Sequence, residues 1–531
     1  MIFHLKNNKG FSWFSDESIS VKGYFFDENN CFYENEQAIS FLKRINSEKE
    51  LTQFLKTANG VFTFIIKLKD KTFVASDITR AFPLFYSSKN SELFFSDDIS
   101  YLKQQLQIND FNTLAEVELL ASNHTYGKDT LLKNVYQVQA SEYLIIQNNN
   151  FIKKGFFTSY AIKQTSNETY TQLKETIFNA FENTFKRLID SLNGKPVAVP
   201  LSGGFDSRLI AVLLKKYNYK NVICYTYGNK NSFEIENSKK TAKVLGFKWF
   251  FIEYTDELIN DYLQSDSFKK YAHYAGKYSS IPSLQEYFAV KYLTNQKLIS
   301  SDTVFIPGYA GDLLGGSQFI KTIPSNLKTE NITSLILKTK FLNHFTSNKL
   351  KPKLKNKLSN LLHNFDNDFQ QKQAFSVFED FDIKEKIAKY IFNSASFYTF
   401  FNYQHRFPFW DTELLQTFRE IPVAYKEMKV LFDDVLINEY FIPFNVHFSK
   451  ELQPSKKVIV KQKLKDIIKP FFPNFIQQYF LQKNDWNNYY PITQQMVKAM
   501  KKNQIKIKKP VKSYNEIITQ WYINFAKEKL K

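Results

Sequence analysis

Cysteine is nearly missing from this sequence of 531 residues: only Cys31 and Cys224 occur, far apart. That scarcity excludes a disulfide framework and a cysteine-based zinc site, and it fits a reducing, cytoplasmic setting. Long hydrophobic runs are missing too. No apolar stretch reaches the roughly 18 residues that a membrane-spanning helix needs, so no membrane partner is expected. The opening Met1-Ile2-Phe3-His4-Leu5-Lys6 lacks the charged head, apolar middle and small-residue cleavage site of a secretory signal. Arginine is confined to Arg44, Arg80, Arg187, Arg208, Arg406 and Arg419, although the chain carries a net charge of +19. Nucleic-acid readers use arginine for two-pronged contacts, and lysine here accompanies abundant Asn, Ile, Phe and Tyr. The basic balance therefore reads as compositional bias, and nucleic acid is not the expected partner.

What is present fits a globular chain of two to four domains, with 43% apolar residues. Up to about residue 155 the pattern is β-rich. Gly60–Ile66, Thr72–Ser76 and Ser141–Ile146 are short apolar or alternating runs separated by polar turns, which predicts a sandwich. A helix is predicted over Tyr170–Leu192, with Leu173, Ile177, Phe181, Phe185, Leu188 and Leu192 on one stripe. Strands then alternate with helices. Val197–Leu201, Val222–Thr226, Trp249–Ile252 and Thr303–Ile306 read as strands, with helices from Ser207 and over Phe233–Leu245. That spacing predicts a doubly wound parallel α/β sheet. Beyond about residue 325 the pattern is mostly helical and ends in a lysine-rich tail, without internal repeats.

The informative segment is Leu201-Ser202-Gly203-Gly204-Phe205-Asp206-Ser207, where a strand turns into a helix. Ligands of parallel sheets bind at the strands' carboxyl ends. Adjacent glycines admit an anion to the backbone, and the amides that open a helix point at it with the dipole behind them. This is a phosphate cradle without the Gly-Lys-Ser/Thr ending of a Walker loop.

The loop resembles the pyrophosphate loop of the adenylate-forming enzymes that include asparagine synthetase, β-lactam synthetase and lasso-peptide cyclases. Pro307-Gly308-Tyr309-Ala310-Gly311-Asp312 resembles that family's second phosphate and magnesium motif, and Arg406-Phe407-Pro408-Phe409-Trp410-Asp411 its later Arg-x-Pro-Phe-Leu-Asp stretch. Ser280-Ile281-Pro282-Ser283 matches its helix beside the acceptor site. Asn59–Phe64, Asp77–Tyr86 and Phe95–Ile99 follow the order of its glutaminase domain. The resemblance implies a glutaminase-like sandwich over 1–155, an ATP-pyrophosphatase domain over 165–445 and a basic helical extension over 446–531. It also implies ATP and Mg²⁺ as cofactors, with a small-molecule carboxylate and ammonia or an amine as substrates. Leu201, Ser202, Gly203, Gly204, Asp206, Ser207 and Gly308 would hold the phosphates, Tyr227 and Gly228 would flank the adenine, and Asp206 and Asp312 would hold the metal. The default product is asparagine from aspartate; amide formation on a secondary metabolite, peptide or sugar acid is the competitor. A tRNA-modifying adenylating enzyme and a non-catalytic binding protein are the readings from other classes.

Several positions depart from the family pattern. Glutamine-hydrolysing members carry a cysteine after the initiator methionine, where this sequence has Ile2, so no glutaminase nucleophile is expected and a separate ammonia donor becomes an option. Tyr309 stands where asparagine-forming members usually have glutamate. In the β-lactam-forming branch a tyrosine there acts as a base with a later glutamate, whose place Gln404 takes here. Arg208 replaces a commoner small residue and could reach a phosphate or a substrate carboxylate. Glu234 is a candidate acid near the ATP site, and Lys456 and Lys457 are candidates for the family's late lysine.

Overall fold

Along the strand Asn59–Lys67 successive side chains face opposite ways, and the sequence supplies apolar groups to both sides. In the computed structural model, Phe62, Phe64 and Ile66 pack with Phe25, Leu42, Leu51 and Phe54, while Ile65 packs with Leu84, Tyr86 and Phe95. One strand therefore serves two cores. Residues 1–321, 323–324, 326–341, 350–448, 474–508, 511 and 513–529 are described; Lys456 and Lys457 lie outside them. The chain divides into two compact units that do not follow chain order. The first comprises Met1–Lys195, Tyr271–Ser283 and Ser301–Leu431, and the second Pro196–Lys270, Leu284–Ser300 and Phe432–Lys531.

The first unit opens with strands β1 (Ile2–His4), β2 (Trp13–Ser15), β3 (Ile19–Phe26), β4 (Phe32–Glu34), β5 (Asn59–Lys67), β6 (Thr72–Ser76), β7 (Phe85–Lys89), β8 (Glu92–Ser96), β9 (Tyr136–Gln137), β10 (Glu142–Gln147) and β11 (Asn150–Phe156). They form a sheet in the order β1-β8-β7-β9 and a larger one in the order β11-β10-β6-β5-β3-β2, with β4 on β3. Ile65, Val74, Leu144 and Ile146 meet Leu84, Tyr86 and Phe95 between the sheets, which is the expected sandwich. Helices Asn35–Leu42 and Glu48–Thr57 cover the outer face of the larger sheet. The predicted helix Tyr170–Leu192 forms with those bounds, opened by a reciprocal Thr169–Gln172 capping box. Later in this unit β15 (Val304–Phe305) pairs in parallel with β16 (Gln404–His405). β15 is shorter than predicted because Pro307, just beyond it, has no N–H to extend a ladder.

The helix Ala374–Asp382 continues as a π-helical stretch, Ile383–Ile391, and buries charges of both signs. Each is paired: Glu379 with Lys426 at 3.0 Å, Asp380 with Lys384 at 2.5 Å, Asp382 with Lys340 at 2.5 Å and Glu385 with Lys389 at 2.7 Å. Buried charges are tolerated only when paired in this way.

In the second unit β12 (Val197–Pro200), β13 (Val222–Gly228) and β14 (Lys248–Glu253) lie parallel in the order β14-β13-β12. Helices Phe205–Lys216 and Phe233–Leu245 make the crossovers, the β-α-β-α-β pattern that the alternation predicts. Its last helices, Tyr489–Lys502 and Tyr514–Ala526, bury Ile492, Met496, Met500, Ile518 and Tyr522. No helix among the described residues is long and apolar enough to cross a membrane.

Two lysines of the first unit are buried where few acids reach them. Lys22 on β3 donates to the Asn7 carbonyl, and Lys277 donates to Ser396 Oγ at 3.3 Å. Burial, with Arg80 and Lys22 nearby, pushes Lys277 down to about 7 from the ordinary 10.5. Between those values the unfolded chain holds the additional proton, so stability rises with pH across that window. A Lys277→Met substitution is expected to raise the melting temperature, more at pH 7 than at pH 9.5. Differential scanning calorimetry at the two pH values checks this; an equal or larger gain at pH 9.5 would contradict it.

Candidate functional site

The turn after β12 is fixed before it begins. Leu201 is buried, its N–H donates to the Tyr225 carbonyl at 2.8 Å, and its own carbonyl accepts from Thr226 Oγ1 at 2.7 Å. Ser202, Gly203 and Gly204 then turn the chain into the helix Phe205–Lys216. Gly204 is the N-cap residue, extended at φ −80 and ψ 168, and no side chain caps the helix. Its first turn therefore lacks a capping side chain and has the helix dipole behind it, the setting that attracts an anion. Asp206 sits half-buried in that first turn.

Both glycines sit in close quarters. A Cβ on Gly203 would lie 3.2 Å from Asn237 Nδ2 and 3.5 Å from Glu234 Cα, and one on Gly204 would lie 3.2 Å from Ser202 Oγ. The hydroxyls brace the turn: Ser202 N–H donates to Ser207 Oγ at 3.0 Å, Gly204 N–H donates to Ser202 Oγ at 3.1 Å, and the two oxygens lie 3.1 Å apart. A phosphate entering here would compete for these internal bonds, so the hydroxyls pre-shape the cradle as well as offering donors to it.

Arg208 is buried in an aromatic surround, its guanidinium carbon 4.4 Å from both the Phe441 and Phe448 rings. It donates to the Val446 carbonyl at 2.9 Å and the Gly203 carbonyl at 3.1 Å. The sequence suggested that it could reach a phosphate or a carboxylate; two of its bonds go to backbone carbonyls, one of them in the turn itself. Here it braces the loop from behind.

At the end of β13, Tyr227 stacks on Tyr254 with centroids 5.6 Å apart, and Gly228 adopts φ +109, a region that favours glycine. Cys224 is buried mid-strand, where desolvation pushes its thiol up to about 12, so it is no nucleophile. Glu234 stands beside Gly203, and burial raises its carboxyl above the ordinary range. Sequence reading passed over Asn237, which occupies the same helix face one turn after Glu234; the i,i+3 spacing was the available signal.

The second motif belongs to the first unit. Beyond β15, Gly308 and Tyr309 lead to Ala310 at φ +58, which opens the short helix Gly311–Leu314. Asp312 is exposed on that helix and does not cap it. The Tyr309 ring lies 5.9 Å from Phe407 and 6.3 Å from Phe392. Gln404 accepts from Lys195 Nζ at 3.4 Å. The neighbouring His405 is buried, and desolvation holds it neutral, down to about 3. Arg406 donates to Ser191, and Asp411 receives Arg187 through two bonds of 2.8 and 2.7 Å and Asn59 at 2.7 Å. The later motif is thus largely architectural.

In the sandwich, Ile2 lies in β1 opposite Phe94, and Cys31 is exposed in the β3–β4 turn. Among the described residues no three His, Cys, Asp or Glu side chains group as a metal cage.

The asparagine synthase family model matches residues 180–430, and the glutamine amidotransferase domain model matches residues 45–157. Among curated proteins, the microcin J25-processing protein McjC of Escherichia coli is 26% identical over 183 residues. The match covers 34% of this chain and 33% of that relative, so it spans about a third of its length. Solved structures with partial likeness include the NH3-dependent NAD synthetase of Campylobacter jejuni subsp. jejuni, at 19% identity and a TM-score of 0.20, covering 38% of this chain and 91% of that one. The glutamine phosphoribosylpyrophosphate amidotransferase of B. subtilis has 10% identity and a TM-score of 0.20, covering 56% of this chain and 62% of that one. Such scores are too low to support a fold assignment.

Arg208→Met is expected to lower stability by about 2 to 4 kcal/mol, since one buried and one half-buried carbonyl lose a charged donor. Arg208→Lys is expected to recover less than half, because a lysine lacks the planar fork. Urea denaturation of the two variants measures both effects; a Met variant as stable as the parent would remove Arg208 as the brace.

Proposed function

We propose that this chain is an ATP-dependent ligase that adenylates a carboxylate and passes the acyl group to a nitrogen nucleophile, a reading supported by the match of residues 180–430 to the asparagine synthase model and of residues 45–157 to the glutamine amidotransferase domain model. The uncapped helix start behind Ser202-Gly203-Gly204 carries the reading. Its amides bind the β and γ phosphates, and the turn holds them as pyrophosphate. A substrate carboxylate oxygen attacks the α-phosphorus, pyrophosphate departs, and an acyl-adenylate remains. The amine then attacks the acyl carbon, loses a proton and displaces AMP.

The donor set fits Mg²⁺, which is usually held by one or two carboxylates together with substrate phosphates. Asp206, in the first helical turn after the loop, would be a carboxylate for it, and the ion would supply charge neutralisation on the pyrophosphate. Arg208 positions the loop, and Tyr227 and Gly228 line the adenine end. Tyr309 lines the acceptor side and takes part in proton removal from the amine. Gln404 cannot take a proton, so any partner of Tyr309 is another group or the substrate itself.

The nitrogen nucleophile is ammonia, supplied freely or by a separate donor protein, or an amine on the substrate. Ile2, Tyr309 and Gln404 all depart from the asparagine-forming pattern, and the curated relative is a microcin-processing protein. We therefore favour amide formation on a peptide or secondary-metabolite carboxylate over asparagine synthesis.

Carboxylate-dependent exchange of labelled pyrophosphate into ATP is the test, run across aspartate, other amino acids, sugar acids and peptides. Exchange with one of these, falling at least a hundredfold in Asp206→Ala, is expected. Silence with every carboxylate would favour a non-catalytic protein, and AMP with asparagine from aspartate and ammonium would restore the asparagine reading. Tyr309→Phe is expected to keep most of the exchange while slowing amide formation at least tenfold, measured as AMP release with the amine present.

A further inference from the structure

The C-terminal extension read from the sequence as a lysine-rich tail, yet one of its loops is built onto the second unit's sheet. The Trp486 carbonyl accepts from the Asn229 N–H at 2.7 Å. A Cβ on Gly228 would lie 2.4 Å from that carbonyl oxygen and 3.2 Å from Asn487 Cα, so only a residue without a side chain lets the loop approach β13. Asn488 Nδ2 donates to the Tyr254 carbonyl at 2.7 Å, just beyond β14. The loop is held from its other side as well: Asp485 accepts the N–H groups of Tyr489 and Tyr490 at 2.8 and 2.6 Å, at the start of the helix Tyr489–Lys502.

These contacts sit at one edge. β12, β13 and β14 are parallel, and Leu201, Gly228 and Tyr254 all lie at or just past their carboxyl ends. Open parallel sheets bind ligands along that edge. With the phosphates at the helix start after β12, a nucleotide's base extends over the neighbouring strand ends, about 5 Å away per strand. There the stacked Tyr227 and Tyr254 and the loop Asp485–Asn488 meet, and Trp486 is half-buried.

Resting on the nucleotide reading above, we propose that the Asp485–Asn488 loop closes the base end of the ATP site and that Trp486 is a specificity-determining residue, its indole forming an aromatic face for the purine. The base of ATP is planar and apolar on its faces, so an indole recognises what the phosphate cradle cannot. The extension is then part of the active unit.

Isothermal titration of the full chain with Mg–ATP and, separately, Mg–pyrophosphate tests this, using the parent protein, Trp486→Ala and Trp486→Phe, with thermal melts as a folding check. The Ala variant is expected to bind Mg–ATP about tenfold more weakly, as loss of one stacked base contact implies, and Mg–pyrophosphate as the parent does. The Phe variant should recover most of the ATP affinity. Unchanged ATP binding in Trp486→Ala overturns the proposal, and so does equal weakening for both ligands. Failure of the nucleotide reading itself shows in the parent protein, as pyrophosphate binding without ATP binding or as neither, and it overturns this assignment together with that reading.

Discussion

The helix that follows β12 starts without a capping side chain, and the chemistry available to the second unit depends on that omission. A serine or aspartate at Gly204 would satisfy the first-turn amides internally and leave nothing for a ligand. Glycine supplies no such side chain, at the cost of a turn that must be held by its surroundings. Several groups hold it: Thr226 on the Leu201 carbonyl, Ser207 on the Ser202 amide, Asn237 packed against Gly203, and Arg208 on the Gly203 carbonyl. Each fixes a part of the backbone before any anion arrives, which lowers the ordering cost that binding would otherwise carry.

The first unit solves a different problem. Its sandwich has a complete pair of cores, but no cysteine at position 2. The sandwich is tied to the later residues of the same unit by apolar contacts such as Phe156 on Phe365 and by polar ones: Arg187 and Asn59 converge on Asp411, and Arg406 reaches back to Ser191. The Arg-x-Pro stretch, read from sequence as a family signature, is in physical terms a fastening point. Whatever else it does, the sandwich is a surface on which those side chains are satisfied.

Most of the architecture was legible because period and punctuation agree. The stripe from Leu173 to Leu192 and its Thr169–Gln172 box mark one helix, and the run from Val197 into Ser202-Gly203-Gly204 marks the strand-to-helix turn. What sequence could not supply was direction. Arg208 read as a residue able to reach a ligand because arginine is scarce here, whereas burial against Phe441 and Phe448 turns its donors toward carbonyls. The same limit hid the Asp485–Asn488 loop. Its anchoring to Gly228 is a backbone contact between segments far apart in the chain, and backbone contacts leave almost no compositional trace. The buried pairs along Ala374–Ile391 were equally invisible, since alternating acids and lysines ordinarily describe a solvated face.

Those pairs bear on how the chain is made. Lys389 donates to the Gly127 carbonyl 262 positions earlier, and Lys357 closes on Glu118 and on Asp129, 228 positions before it. A ribosome delivering this chain exposes the acids near the end of the sandwich long before the lysines that neutralise them exist. Until then Glu118 has no reason to leave water, and its helix Thr113–Ser122 has no finished place to dock. The sandwich strands can pair early, but final closure of the first unit waits for Lys426 to emerge and meet Glu379. Translation that stops short of that lysine yields a protein with its acids in place and its core still open.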